Sequence, residues 1–428
     1  MIPEIETKSL AEIEALQNTL LQKQIAYLMQ HSPFYQRKFR AENIDVKSIQ
    51  TIADLQKISV TTKADIQLYN NDFFCVDKSQ ILDYATTSGT LGDPVTFGLT
   101  DNDLERLAYN EMLSFQCAGV QKGDLVQLMT TMDRRFMAGL AYFLGLRKLG
   151  AGIVRVGAGV PTLQWDSILR YQPKYLIAVP SFLLKMIDYA QENNIDYKNC
   201  SVKGVICIGE ALRTTNLEPT LLAQRIQEKW NIELFSTYAS TEMSAAFTEC
   251  ALFQGGHHHP ELIITEIVDE NNQPVADGEL GELVVTTLSV EAMPLLRFKT
   301  GDMLRKHTQK CNCGRNTYRL GPVEGRKQQM IKYKGTTLYP PAMHDAVAHF
   351  NEIKLHLIEI SSNDIGTDEI LIRIFSEDTS EEFSNKLKDY FRARLRVTPQ
   401  IVFEEELTLQ KIIFDPLSRK PITFIDKR

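Results

Sequence analysis

The chain has 428 residues, 43% of them hydrophobic and 24% charged, with a net charge of −7. A chain of this length divides its core, since single cores stop growing at roughly 250–300 residues, and its ordinary composition excludes disorder. The negative balance and the lack of a long basic run exclude nucleic acid or an anionic membrane as the main partner, which leaves small molecules.

The opening "MIPEIETKSLAEIEALQ" carries acids where a secretory leader carries lysines, and no stretch reaches the length of a membrane span. A cytoplasmic chain is expected. Its seven cysteines are an odd count spread too thinly for a disulfide framework.

Over 9 to 31, Leu10, Ile13, Leu16, Leu20, Ile25 and Leu28 recur near three- and four-residue spacing, and Pro33 ends the run, which predicts an amphipathic helix. Next comes "TTSGTLGDP" at 86–94, a loop of hydroxyls and glycines whose bare N–H groups suit an anionic oxygen cluster. It is not a Walker loop, because Asp93 and not lysine follows Gly92. A plain turn between two strands is the competing reading.

From about residue 125 strand-like and helical runs alternate: "LVQLM", "FMAGLAYFLGLRKLG", "YLIAVP", "SFLLKMIDYAQENN", "GVICIG", "LAQRIQEKW", "IELFSTY". This is the pattern of βαβ units on a parallel sheet, which bind ligands beyond the carboxyl ends of their strands. Those ends hold Pro180-Ser181, "GEAL" at 209–212 and "STYASTE" at 236–242. After residue 262 the period changes to two in "LIITEIVD" and "LGELVVTTL", an antiparallel part. The sequence predicts an N-terminal domain over 1–326 and a second, α+β domain over 327–428. The latter has strands "LHLIEI", "EILIRIF" and "QIVFEE" and a helix from about 380 to 397.

Taken in order, "SPFYQRKF", "DLQKISVTTKADI", "TTSGTLGDP", Tyr238-Ala239-Ser240-Thr241-Glu242, Arg297-Phe298-Lys299-Thr300-Gly301-Asp302 and the closing Lys420 and Asp426 resemble the adenylate-forming enzymes. The resemblance is strongest to the phenylacetate–coenzyme A ligase family and runs over nearly the whole chain. It implies an α/β fold: a large N-terminal domain with parallel βαβ sheets and a β-rich subdomain, plus a small mobile α+β C-terminal domain. The activity implied is an ATP-dependent acid–thiol ligase. A carboxylate attacks the α-phosphorus of ATP, pyrophosphate leaves, and coenzyme A takes the acyl group from the adenylate with release of AMP.

The resemblance also implies roles. Thr87, Ser88, Gly89, Thr90 and Gly92 would hold the β- and γ-phosphates, and Gly209 and Glu210 would border the adenine. Tyr238, Ala239 and Ser240 would line the nucleotide, Thr241 would contact the α-phosphate, and Glu242 would hold Mg²⁺. Asp302 would accept the ribose hydroxyls, Arg326 would reach the ribose or α-phosphate, and Lys420 would bridge carboxylate and phosphate during adenylation. Gln328 would be the hinge of a domain rotation that brings the loop of Lys334 and Gly335 to the substrate for the coenzyme A step. A homodimer is implied too. Each role has a plainer counterpart: Glu242 and Asp302 as cap or turn carboxylates, Lys420 as a solvated lysine, Gly209-Glu210 as a turn.

Cys311-Asn312-Cys313, with Cys250 seven residues before the run His257-His258-His259, offers thiolates and imidazoles for a soft tetrahedral ion. The resemblance selects His257, with His259 second, which gives a closed structural Zn²⁺ site of Cys250, His257, Cys311 and Cys313. Free thiols beside an exposed histidine run are the alternative.

The chain departs from the family at Asp93, where lysine is usual, at Gln328 and Gln329, where aspartates are common, and at Thr337, where asparagine is typical. "RRFMAGLA" stands where a glycine-rich segment borders the acyl pocket, which leaves phenylacetate and other aryl acids open as substrates. Two rival functions remain at this level. One is an adenylate former serving another acceptor, and the other is a non-catalytic nucleotide-binding relative.

Overall fold

The computed structural model describes residues 2–87, 95–333, 336–362, 368–414 and 421–428, and the structural statements below concern these residues. They form two compact units, one of 1–300 with 304–322 and one of 301–303 with 323–428. Among the described residues no helix is long and apolar enough to cross a membrane.

The first unit is built on a sheet in the order Gly152–Arg155, Leu125–Leu128, Tyr175–Ala178, Gly204–Cys207, Glu233–Ser240, Ala245–Thr248. The first five strands are parallel and the last is antiparallel. Tyr175–Ala178 and Gly204–Cys207 are buried at every position, which is why they read as continuous apolar runs and not as alternation. The helices Met137–Leu149, Pro180–Glu192 and Leu221–Lys229 fall where the sequence puts them. Trp165, Tyr197 and Trp230 meet with ring centroids 5.5–6.5 Å apart and close one side of the core.

Several elements escape the sequence reading, among them three in and around this sheet. Gly152–Arg155 is a half-exposed edge strand of four residues, and the helix Pro161–Tyr171 follows it. The third, the helix Asp101–Cys117, hides its periodicity because the face it buries carries Asp103, Arg106, Asn110, Glu111 and Ser114 among the apolar residues. It packs tightly on Met137–Leu149: a Cβ at Gly145 would lie 2.3 Å from the Glu111 Cβ. No larger residue fits there without moving a helix.

Burial pushes the Glu111 carboxyl up to about 8, and the Asn110 amide donates to it at 3.1 Å. The folded chain therefore keeps this proton while the unfolded chain loses it near its ordinary value, so stability falls as pH rises from about 4.5 to about 8. Glu111→Gln removes that loss. Its unfolding free energy, measured by denaturant titration, is expected to exceed that of the parent by more at about pH 8.5 than at about pH 5, with a gap of up to roughly 4 kcal/mol. A gap independent of pH would mean that Glu111 is not held neutral.

The β-rich part of this unit pairs Ile263–Val268 with Gly281–Thr287 antiparallel, from Ile263 opposite Thr287 to Val268 opposite Glu282. The first long helix, Leu10–His31, starts at a capping box of Ser9 and Glu12, close to its expected limits. Its buried Gln17 donates to the carbonyls of Pro260 and Ile263 at 3.1 Å, which ties the helix to this β-rich part.

The second unit has a sheet in the order Gln400–Phe403, Asp368–Ser376, Ile353–Ser362, Phe424–Asp426, antiparallel at its centre and parallel at both edges. Pro340–Ala348 and Glu381–Leu395 contribute Met343, Val347, Phe383, Leu387 and Phe391 to its core. The unit starts at Val323, ahead of the 327 expected from sequence, and takes in Gly301–Met303. The cause is strand pairing: Asp302 lies opposite Arg326 and Met303 opposite Gly325.

Candidate functional site

The strand Glu233–Ser240 carries Tyr238, Ala239 and Ser240 to its carboxyl end, where the chain turns over Thr241–Ser244 and returns as Ala245–Thr248. Met243 is wholly buried, while Thr241 and Glu242 on the same turn are partly exposed. The turn is closed by Ser244 N–H on the Thr241 carbonyl and by Met243 N–H on Ser240 Oγ, each at 3.3 Å. An apolar anchor between polar neighbours thus aims a hydroxyl and a carboxylate away from the core.

Gly209 follows the strand Gly204–Cys207 with φ +80°, a conformation that favours glycine. The next side chain, Glu210, accepts Ser181 N–H and Oγ–H, both at 2.8 Å, at the start of Pro180–Glu192. The carboxylate serves a helix N-terminus, a contact that neither the adenine border nor the turn expected from sequence foresees. Thr87 is 5% exposed; its N–H donates to the Val95 carbonyl at 3.0 Å and its Oγ accepts Val95 N–H at 3.1 Å. It extends the pairing of the hairpin Asp83–Thr86 and Thr96–Leu99 by one step. Ser88, Gly89, Thr90, Gly92 and Asp93 lie outside the described residues.

Sequence reasoning missed a buried ion pair between two of these segments. Arg213, just after Gly209-Glu210, meets Glu249 through Nε at 3.0 Å and Nη2 at 2.9 Å, and Nη2 also donates to the Leu234 carbonyl at 2.8 Å. Glu249 accepts Ser236 N–H at 2.9 Å as well. The pair joins three chain segments in a dry interior, where loss of one partner strands a charge. Neither residue sits in a recognisable spacing, so no local signal could have found it.

In the second unit Asp302 is 7% exposed and accepts Arg326 Nε at 3.3 Å. The expected ribose and phosphate contacts thus share one ladder position. Gln328 lies in the short helix Lys327–Gln329. Arg428 fastens this segment by donating to the carbonyls of Gln328 at 3.3 Å and Met330 at 2.8 Å, with Asp368 2.9 Å from its guanidinium. Lys334, Gly335 and Lys420 lie outside the described residues.

The structure does bring Cys250, His257, Cys311 and Cys313 together, with their donor atoms all within 4.8 Å of one another. Cys250 Sγ is 3.8 Å from Cys311 Sγ, and Cys313 Sγ is 3.5 Å from His257 Nε2. With metal–sulfur bonds of about 2.3 Å and metal–nitrogen bonds of about 2.0 Å, the edges of a tetrahedron are about 3.8 Å and about 3.5 Å. The histidine run divides three ways. His257 faces the thiols, His258 Nε2 meets the Ile263 carbonyl at 2.6 Å, and His259 Nδ1 meets Glu6 at 2.6 Å. His259, the second choice from sequence, is thereby engaged elsewhere.

Glu6 also accepts Arg315 Nε at 2.7 Å, and Arg315 Nη1 lies 3.7 Å from Cys313 Sγ, so one buried carboxylate orients both a neighbour of the cluster and His259. Burial alone would raise the Cys313 thiol; the hydrogen bond from His257 and the N–H and guanidinium of Arg315 bring it well below the usual thiol range.

The signature of AMP-binding enzymes matches residues 13–292. The chain is 27% identical to a phenylacetate-coenzyme A ligase of Thermus thermophilus over 425 residues, covering 92% of this chain and 94% of that one. It is 28% identical to the phenylacetate-coenzyme A ligase of Escherichia coli, covering 82% and 80%, and 22% identical to protein CapK of Staphylococcus aureus, covering 91% and 84%. A 2-hydroxyisobutyryl-CoA ligase, solved in the postadenylation state in complex with R3-HIB-AMP, superposes with a TM-score of 0.85 at 23% identity, over 100% of this chain and 92% of that one. The expected resemblance therefore holds in fold and in sequence over most of the length. A signature covering 13–292, about two thirds of the chain, places it in the AMP-binding enzyme family.

Proposed function

We propose that the chain is an ATP- and Mg²⁺-dependent acid–thiol ligase that converts an aryl acid of the phenylacetate kind to its coenzyme A thioester, with release of AMP and pyrophosphate. The observation that carries the reading is the turn Thr241–Ser244. It presents Thr241 and Glu242 from a buried anchor at the carboxyl end of the sheet, where α/β folds bind ligands. The names of the relatives support the acid class.

In this reading Thr241 donates to the α-phosphate and Glu242 is the carboxylate that holds Mg²⁺, which supplies charge neutralisation between the attacking carboxylate and the triphosphate. Asp302 takes the ribose hydroxyls and Arg326 the neighbouring oxygens. Lys420 offsets the charge that gathers as the carboxylate meets phosphorus. Cys250, His257, Cys311 and Cys313 hold a structural Zn²⁺: four donors leave no open position, so the ion braces the fold and takes no part in chemistry. A cytoplasmic homodimer belongs to the same proposal.

The test is AMP release from ATP with a panel of carboxylic acids, each with and without coenzyme A. Release with arylacetic acids that needs coenzyme A to turn over is the expected result. Adenylate formation with no thioester would assign another acceptor, and ATP binding with no pyrophosphate exchange for any acid would leave a nucleotide-binding protein without this activity.

A further inference from the structure

Arg106, on the helix Asp101–Cys117, is 8% exposed and gives its guanidinium to three main-chain carbonyls. Nε meets Leu288 O at 2.7 Å, Nη1 meets Ser244 O at 2.6 Å, and Nη2 meets Leu262 O at 2.5 Å. One turn earlier on the same helix, Asp103 accepts the N–H groups of Glu291 and Ala292 at 2.7 and 2.9 Å. A buried guanidinium whose hydrogen bonds all go to carbonyls, with Asp103 as the nearby charge that eases its burial, is costly to desolvate, and an apolar residue of like volume would fill the space without that cost. The three contacts therefore call for a reason beyond packing.

One of them ends on the turn that bears Glu242. Ser244 has φ +46°, a left-handed conformation that costs a residue with a side chain about 1–2 kcal/mol. Its N–H and Oγ both point back to the Thr241 carbonyl at 3.3 Å, so its own carbonyl is the group through which the rest of the fold can hold the kink. Arg106 holds it. The Leu288 and Leu262 carbonyls fix the other two edges of the guanidinium against the β-rich part, so the third edge has a set direction.

Resting on the reading of Glu242 as the magnesium carboxylate, we propose that Arg106 is a positioning residue. By gripping the Ser244 carbonyl it keeps the Thr241–Ser244 turn in the one shape that presents Glu242 to a metal-bound nucleotide. Arg106 touches neither metal nor substrate in this scheme. Lysine at 106 keeps the charge but cannot reach three carbonyls in a plane.

The test compares the parent, Arg106→Lys, and Arg106→Lys combined with Ser244→Gly. Two quantities are read: deuterium uptake of the peptide over 240–246, and the Mg²⁺ concentration for half-maximal pyrophosphate–ATP exchange. Arg106→Lys is expected to raise the uptake and to raise the half-maximal Mg²⁺ by about tenfold, the low end of what a loosened support behind a metal ligand costs. Adding Ser244→Gly should bring the Mg²⁺ requirement back towards the parent, because glycine takes the left-handed conformation freely. Arg319→Lys controls for lost stability, since Arg319 also donates to two carbonyls, at 2.9 and 2.7 Å, away from the turn. Unchanged uptake in Arg106→Lys, or no recovery on adding Ser244→Gly, overturns the proposal. If the parent shows no exchange with any acid, the ligase reading fails, and the uptake comparison still decides whether Arg106 holds the turn.

Discussion

Lys420→Ala is expected to lower pyrophosphate–ATP exchange by a factor of about 100 or more, while thioester formation from acyl-adenylate supplied ready-made stays near the parent rate. The physical reason is charge. Two like charges about 4 Å apart at an effective dielectric of 20 repel by about 4 kcal/mol, and the attack drives a carboxylate onto a triphosphate. An ammonium between them relieves this in adenylation. In the second half-reaction no such pair approaches, because pyrophosphate has left. Lys427→Ala is the control: its Nζ lies 2.6 Å from the Glu359 carboxylate, so its charge is already engaged within the second unit. Exchange at the parent rate in Lys420→Ala would remove Lys420 from the chemistry.

The second large effect concerns the four-donor cluster. Protein purified without a tag is expected to carry about one zinc per chain, measured by elemental analysis, and Cys311→Ser to carry none. The binding free energy of the ion is folding free energy. At a free zinc level of 100 times the dissociation constant that amounts to about 2.7 kcal/mol, or a fall in melting temperature of roughly 5 °C in a unit of this size. Cys200→Ser, at a cysteine outside the cluster, should keep the metal and most of the stability. A parent free of metal would mean that the thiols are simply reduced and buried. A melting temperature that stays the same on zinc loss would mean that the ion braces nothing.

The two departures that stand out in the sequence fare differently. Asp93 falls outside the described residues. Gln328, in place of an expected aspartate, is held through its main-chain carbonyl by Arg428, a contact to which its side chain contributes nothing. A change of side chain at 328 therefore leaves this fastening in place.

The sequence by itself determined the features that are local in the chain. Runs such as "YLIAVP" and "GVICIG" are continuous because both faces of their strands are covered, and the helices between them keep their period. The order of the motifs pointed to the family, and the spacing of Cys311 and Cys313 pointed to a cluster. Only the tertiary structure decided which of three adjacent histidines faces the thiols, because the path of the strand Gly256–His257 sends neighbouring rings to different partners. It also turned Glu210 towards a helix start, and it revealed Arg106, which reaches carbonyls 138, 156 and 182 positions away. Contacts of that kind join main-chain atoms, which every residue possesses. They leave no trace in residue type or period at the far end, and only folding brings them together.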